Sequence, residues 1–217
     1  MKVKVVSFDL SGTLIDEDFV DHFWLEVIPR AYAEKRKLPL HVAKEEVLRM
    51  YEEVGAEDLR WYLPRYWVVK LGLGRLEPLL EEASKRIKVY DDVHEAFKTL
   101  ARLKLKVAIL TNLTYELAEI CLRVINLSLP VTLLSCVTNF ALTRKTRRFY
   151  ELSCKALGVK PTEVVHVGND QVYDLQEPAS IGIKALLIDR RGGRDEGSIN
   201  NLLELMDIVE RGLGWRG

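Results

Sequence analysis

Five short runs of apolar and β-branched residues punctuate the chain, each the length of a buried strand rather than a helix. Residues 3–8, 106–110, 164–167 and 184–188 are the clearest, and 131–136 is weaker. Runs apolar at successive rather than alternate positions are expected where both faces of a parallel sheet are covered. Between them the apolar positions recur at helical spacing. Val93, Ala96, Phe97 and Leu100 mark one helix, and Leu117, Ala118, Cys121, Leu122 and Ile125 a second. Phe149, Leu152, Ala156 and Leu157 mark a third that Gly158 ends. Ile199, Leu202, Leu203, Met206 and Val209 mark a last one, with Ser198 expected as its cap. Strands alternating with helices predict an α/β fold built on a doubly wound, parallel, Rossmann-like sheet.

Residues 17–88 break that rhythm. They contain four helical stripes and no convincing strand: Val20, Phe23, Trp24, Val27 and Ile28; Val47, Leu48, Tyr51 and Val54; Leu59, Tyr62, Leu63, Tyr66 and Trp67; Leu76, Leu79, Leu80, Ala83 and Ile87. Pro29 and Pro64 are expected to kink or divide their helices. The pattern predicts a small all-helical domain over 17–88, inserted into an α/β core of residues 1–16 and 89–217. Trp215 is a possible anchor in the otherwise polar tail.

Composition narrows the class. The 217 residues are 48% hydrophobic and 29% charged, with 32 basic and 32 acidic side chains. A formal net charge of zero gives no reason to expect a nucleic-acid or membrane-surface partner. No apolar run approaches the roughly 20 residues of a membrane span. The opening MKVKVVSF lacks a signal-peptide pattern, and the three cysteines are widely spaced in apolar contexts. A cytoplasmic protein with reduced core cysteines is expected.

In open α/β sheets ligands bind beyond the carboxyl ends of the strands. The first strand is followed by Asp9, Ser11, Gly12 and Thr13, the second by Thr111 and Asn112. Arg144 and Lys145 lie in the loop after the third, and the fourth is followed by Gly168, Asn169, Asp170 and Asp174. Singly, each is an ordinary turn or cap residue. Together they place carboxylates, hydroxyls and a cation on one rim. The four histidines show no ligand spacing, and His166 reads as a structural residue within its strand.

These segments, FDLSGTLID, ILTN, the Arg144/Lys145 region and HVGNDQVYD, resemble the four motifs of the haloacid dehalogenase (HAD) superfamily, with a helical cap inserted between the first and second. The resemblance implies a Mg²⁺-dependent phosphohydrolase acting on a small phosphorylated metabolite through an aspartyl-phosphate on Asp9. It implies Mg²⁺ ligands in Asp9, the Ser11 carbonyl and Asp170, with Asp174 beside them. Gly12, Thr13, Thr111 and Asn112 are expected around the phosphoryl group, and Arg144 or Lys145 as the neutralising cation. The resemblance carries no expectation about oligomeric state.

Ser11 departs from the pattern. Phosphatase members carry an aspartate there as general acid and base, work typically worth ~10²–10⁴-fold. A serine keeps the backbone carbonyl but lends no proton near neutral pH. Four readings follow: a slow or leaving-group-selective phosphohydrolase; a dehalogenase, where no leaving-group acid is needed; a phosphonate-cleaving enzyme using a cap lysine (Lys35, Lys37, Lys44, Lys70, Lys85 or Lys88); and a binding protein with little turnover. The cap aromatics Trp24, Trp61, Tyr62, Tyr66 and Trp67 are expected mainly as cap core, the alternative being the lining of a pocket for an apolar substrate body. The loop from Arg190 to Arg194 is expected to be solvated.

Overall fold

The structure is a computed structural model and describes residues 3–192 and 198–210. Strands β1 (Val5–Phe8), β2 (Lys106–Thr111), β3 (Val131–Ser135), β4 (Val164–Gly168) and β5 (Lys184–Leu187) form one parallel sheet, ordered β3-β2-β1-β4-β5. β1 is the central strand, with Val5 opposite both Lys106 and Val164. The order of connection reverses between β1 and β4, so the switch-point crevice of a doubly wound sheet opens at their carboxyl ends.

Alternate side chains enter two cores. Val6, Phe8, Ile109, Val165 and Val167 pack with Phe97, Leu100, Leu117 and Leu202 on one face. Val5, Ala108, Leu110, Leu134 and Val164 pack with Phe149, Tyr150 and Cys154 on the other. All three cysteines are buried and free. The helices Val93–Arg102, Tyr115–Ile125 and Arg147–Leu157 fall where the periodicity predicts. The last one does not begin at Ser198. It runs Leu202–Glu210, and Asn201 Oδ1 accepts from the amides of Leu203 and Glu204 at 2.9 and 3.2 Å. Ile199 is instead bridged to Ile188 beside the sheet, which delays the helix by a turn. Trp215 and Arg194 lie outside the described residues.

The segment between β1 and β2 is helical throughout its described elements, from Asp18–His22 to Glu77–Ser84. Pro29 has no N–H to continue the ladder, and a wide π-helical turn, Phe23–Val27, precedes the helix Ile28–Arg36 in which it sits. Pro64 separates a 3₁₀ turn, Leu59–Tyr62, from the helix Pro64–Leu71. The chain leaves and rejoins the sheet layer at one point, where Asp16 N donates to Lys88 O and Tyr90 N to Leu14 O. Phe19, Phe23 and Trp67 belong to the same buried cluster as Phe8, joined through Leu10, Leu14 and Ile15. The inserted helices therefore share a core with one face of the sheet. No described helix is long and apolar enough to cross a membrane.

Candidate active site

Asp9 follows the last residue of β1, its amide donating to Val167 O at 2.8 Å, so the carboxylate stands at the mouth of the crevice. A cavity of about 290 Å³ opens over it. Its walls bring together Asp9, Ser11, Thr111, Asn112, Arg144, Lys145, Asp170 and Asp174, eight residues drawn from four segments. Gly12 and Thr13 are not among them. Thr13 is fully buried, its hydroxyl donating to Asn169 Oδ1 at 3.3 Å, and Gly12 is pressed against the Asn169 side chain. Gly12 has φ +77°, and a Cβ there would fall only 2.3 Å from Asn169 Nδ2, so any other residue would be strained and would displace the Asn169 side chain. Both residues shape the loop that carries Asp9 and Ser11, and Gly12 lines a neighbouring cavity with Glu17, Asn169 and Asp170.

The two basic candidates separate cleanly. Lys145 is buried, with Nζ 2.6 Å from Asp9 Oδ1 and 2.5 Å from Asp174 Oδ1. Arg144 turns outward, pairing with Glu57 of the inserted helices and donating to Tyr173 OH at 3.0 Å. Lys145 is thus the cation beside the Asp9 carboxylate.

Asp174 is more enclosed than its sequence context suggests. Its Oδ1 lies within hydrogen-bond distance of Lys145 Nζ, Tyr150 OH and His166 Nε2, while Oδ2 accepts from the Asp170 amide at 3.1 Å. Both oxygens are engaged, and Asp174 holds Lys145 in place. Behind it, His166 continues to Ser7 Oγ, 2.9 Å from Nδ1, and Tyr150 OH donates to Tyr173 O at 2.6 Å. This buried polar chain satisfies groups that are costly to leave unpaired. Gly168 permits it: a Cβ there would fall 2.2 Å from Asp174 Cγ.

Electrostatics follow from burial. Desolvation pushes Asp9 up to about 7 against the pull of Lys145, with the Asp174 charge adding to the rise. Burial also acts to raise Asp174, but Lys145 and the His166 bond outweigh it and hold it below the ordinary carboxylate range. Lys145 is drawn down by burial and carried above its usual range by the two carboxylates. Burial lowers His166, which favours the neutral imidazole. One ammonium thus serves two carboxylates, and Asp9 is the one left costly to ionise. A raised acid binds its proton more tightly when folded, so its contribution to stability falls as pH rises from the ordinary aspartate value through about 7. In EDTA, urea unfolding of wild type and Asp9→Asn at pH 5 and pH 8 should diverge, wild type losing on the order of 3 kcal/mol relative to the variant. A constant difference between the two pH values would contradict this origin.

Asp9, Ser11 and Asp170, all bearing oxygen donors of the kind a hard cation prefers, line the cavity. Asp170 uses Oδ1 alone to cap the Gln171–Gln176 turn, accepting from Val172 N and Tyr173 N. Among the described residues no group of three or more His, Cys, Asp or Glu side chains forms a closed metal cage.

A model of the haloacid dehalogenase-like hydrolase family matches residues 3–182. The chain belongs to that family. Relatives of this HAD-like hydrolase include the GMP/IMP nucleotidase YrfG of Escherichia coli (strain K12), 25% identical over 187 residues, covering 85% of this chain and 82% of that one. Another is (S)-2-haloacid dehalogenase 4A of Burkholderia cepacia, 26% identical over 143 residues, or 63% of this chain and 62% of that one. The fold matches a HAD phosphatase from Thermococcus onnurineus with TM-score 0.78 at 23% identity, over 95% of this chain and 98% of that one. It also matches a 2-haloacid dehalogenase from Pseudomonas syringae pv. Tomato DC3000 with TM-score 0.72 at 18% identity, over 97% and 100%.

Several wall residues of this HAD-like cavity escape sequence reasoning: Glu17, Thr143 and Tyr173. Glu17 sits at the entry to the inserted helices, bonded by Asn169 Nδ2 at 3.1 Å and Arg191 at 2.8 Å. The lysines of the inserted segment, Lys35, Lys37, Lys44, Lys70, Lys85 and Lys88, are not on this wall, where the lysine is Lys145. Arg190 is tied down, whereas its neighbour Arg191 is exposed. Arg190 donates to Thr13 O and Asp92 Oδ2, at 2.5 and 2.6 Å, and stacks 4.1 Å from the Tyr90 ring, so it straps the Asp9 loop to the core.

Proposed function

We propose that this HAD-like hydrolase is a Mg²⁺-dependent phosphohydrolase of small phosphate esters, with residues 17–88 acting as a cap over the site. The observation that carries the reading is Lys145, buried and held by Asp174 against the Asp9 carboxylate, opposite Thr111 and Asn112. A fixed ammonium beside a carboxylate nucleophile neutralises an arriving phosphoryl group where charge develops. The nucleotidase relative supports the same chemistry.

In this reading Asp9 attacks phosphorus in line, forming an Asp9 Oδ–P bond as the bond to the leaving oxygen breaks. Water then attacks the aspartyl phosphate, freeing phosphate and restoring the carboxylate. Lys145, the Thr111 hydroxyl and the amide of Asn112 hold the equatorial oxygens. Asp9, the Ser11 carbonyl and Asp170 would hold Mg²⁺, which supplies charge neutralisation between two anionic reactants. Ser11 offers no proton to the departing oxygen, so turnover depends on how readily that oxygen leaves as an anion.

A substrate panel with and without Mg²⁺ tests this. Aryl and acyl phosphates should be hydrolysed in preference to alkyl phosphates, and Asp9→Asn should lose roughly 10³-fold or more. Ser11→Asp should raise alkyl phosphate turnover by about tenfold or more and change aryl phosphates little. Halide release from a 2-haloacid, with no phosphate release from any ester, would replace this reading by a dehalogenase.

A further inference from the structure

A second cavity, of about 400 Å³, adjoins the one over Asp9. The two share walls at Tyr62, Asn112 and Leu113. Their characters differ. The Asp9 cavity holds the charged machinery, whereas the second is walled by Trp24, Tyr51 and Trp61. Those rings contact in series, with centroids 5.8 and 6.0 Å apart, and Tyr51 rests edge-on against the fully buried Trp67 at 4.5 Å. The Tyr51 hydroxyl is tied to Trp24 O at 3.2 Å, so the aromatic wall is fixed before anything binds. Of the expected cap core only Trp67 is fully buried, while Trp24, Trp61 and Tyr62 line cavities.

Two further features belong to the same cavity. Leu25 and Leu48, 44% and 39% exposed, lie on its wall. Leu48 shares a helical stripe with Val47 and Tyr51, which are buried, yet it is left facing this space. The charged side chains on the wall are Asp21 and Glu52. Among the described residues no lysine, arginine or histidine joins them.

We infer that this cavity receives the organic body of the substrate whose phosphoryl group meets Asp9, and that the body is a flat, apolar aromatic or heteroaromatic group without a second anionic substituent. The inference rests on the phosphohydrolase reading for the reaction, but not for the shape or polarity of the body. Rings stack edge-on or offset on tryptophan and tyrosine, and burying them displaces water from apolar surface. The volume is within the range of sites that enclose small ligands. A carboxylate or second phosphate placed here would face Asp21 and Glu52 with no cation to offset it. Ser11 points the same way: an aryl oxygen departs as a stabilised anion and needs no proton from position 11.

The test compares 1-naphthyl phosphate, 2-carboxyphenyl phosphate and acetyl phosphate, the last too small to reach the second cavity, on wild type, Trp61→Ala and Leu48→Gln with Mg²⁺ present. The kcat/KM for 1-naphthyl phosphate should fall roughly tenfold or more in both variants, chiefly through KM. Acetyl phosphate should stay within about twofold in both. On wild type, 2-carboxyphenyl phosphate should be the poorer aryl substrate by about tenfold. Equal losses on naphthyl and acetyl phosphate, or no loss on either, would overturn the assignment. Calorimetry of 1-naphthyl phosphate binding in the Asp9→Asn background, with and without Trp61→Ala, reads the cavity without chemistry. Binding weakened by Trp61→Ala in a protein that hydrolyses no phosphate ester would sink the reaction and keep the site. Hydrolysis of acetyl phosphate with binding indifferent to Trp61 would do the reverse.

Discussion

Lys145→Met is expected to abolish turnover and to destabilise the fold together. Removing the ammonium leaves Asp9 and Asp174 buried with no opposite charge between them, where each now lies within bonding distance of Nζ. Breaking a buried pair by deleting one partner costs about 3–5 kcal/mol, because the surviving charge is stranded. Activity should drop by about 10³-fold or more, since the developing phosphoryl charge loses its fixed counter-charge. The stability loss should be larger at pH 8 than at pH 5. Asp9, already raised by burial to about 7 with Lys145 present, accepts a proton more readily still once the lysine is gone, which relieves the repulsion in acid. The double variant Lys145→Met, Asp174→Asn separates the two effects. It should recover much of the stability and none of the activity. Recovery of both would mean that Lys145 serves only to neutralise Asp174.

The second large effect is expected at Gly168, the last residue of β4. A methyl group there would sit 2.2 Å from Asp174 Cγ and 2.4 Å from its Cβ. Asp174 cannot withdraw without releasing Lys145, Tyr150, His166 and the Asp170 amide. Gly168→Ala should therefore cost about 3 kcal/mol as overpacking, measured by urea denaturation. It should also cut kcat far more than it raises KM, because the group that moves positions Lys145 rather than the substrate body. An unaltered kcat in a folded variant would show that Asp174 does not set the lysine.

The sheet is legible in the sequence because strands covered on both faces are apolar at nearly every position, a signal that survives without any partner information. The strand-end residues are legible for a related reason: the chain order and the fold's switch point fix which segments meet. Choosing between Arg144 and Lys145 is beyond the sequence, since adjacent residues on a loop differ only in which way the backbone turns them. The partners of the Asp174 oxygens are invisible in a sequence; four neighbours, two of them Tyr150 and His166 from other elements, bond to them. Thr13 reads as a phosphate-loop hydroxyl until Asn169, more than 150 positions later, is packed against it. Glu17 and Tyr62 enter the cavity by the same kind of long-range meeting. Leu48 carries a usable clue, an apolar residue at the edge of its stripe, but only burial shows that it faces open space.

The position of β1 has a consequence for how the protein is made. It leaves the ribosome ahead of both its neighbours, β2 and β4, which begin about 100 and 160 residues later. At roughly 5–20 residues per second, it waits on the order of 10–30 s for its second partner. Until β2 is made, roughly 5–20 s into that interval, the four-residue strand that leads into Asp9 has both edges unpaired. The inserted helices are synthesised next and share a core with Phe8 through Leu10, Leu14 and Ile15. They are thus the nascent chain's own cover for its central strand until the sheet closes around it.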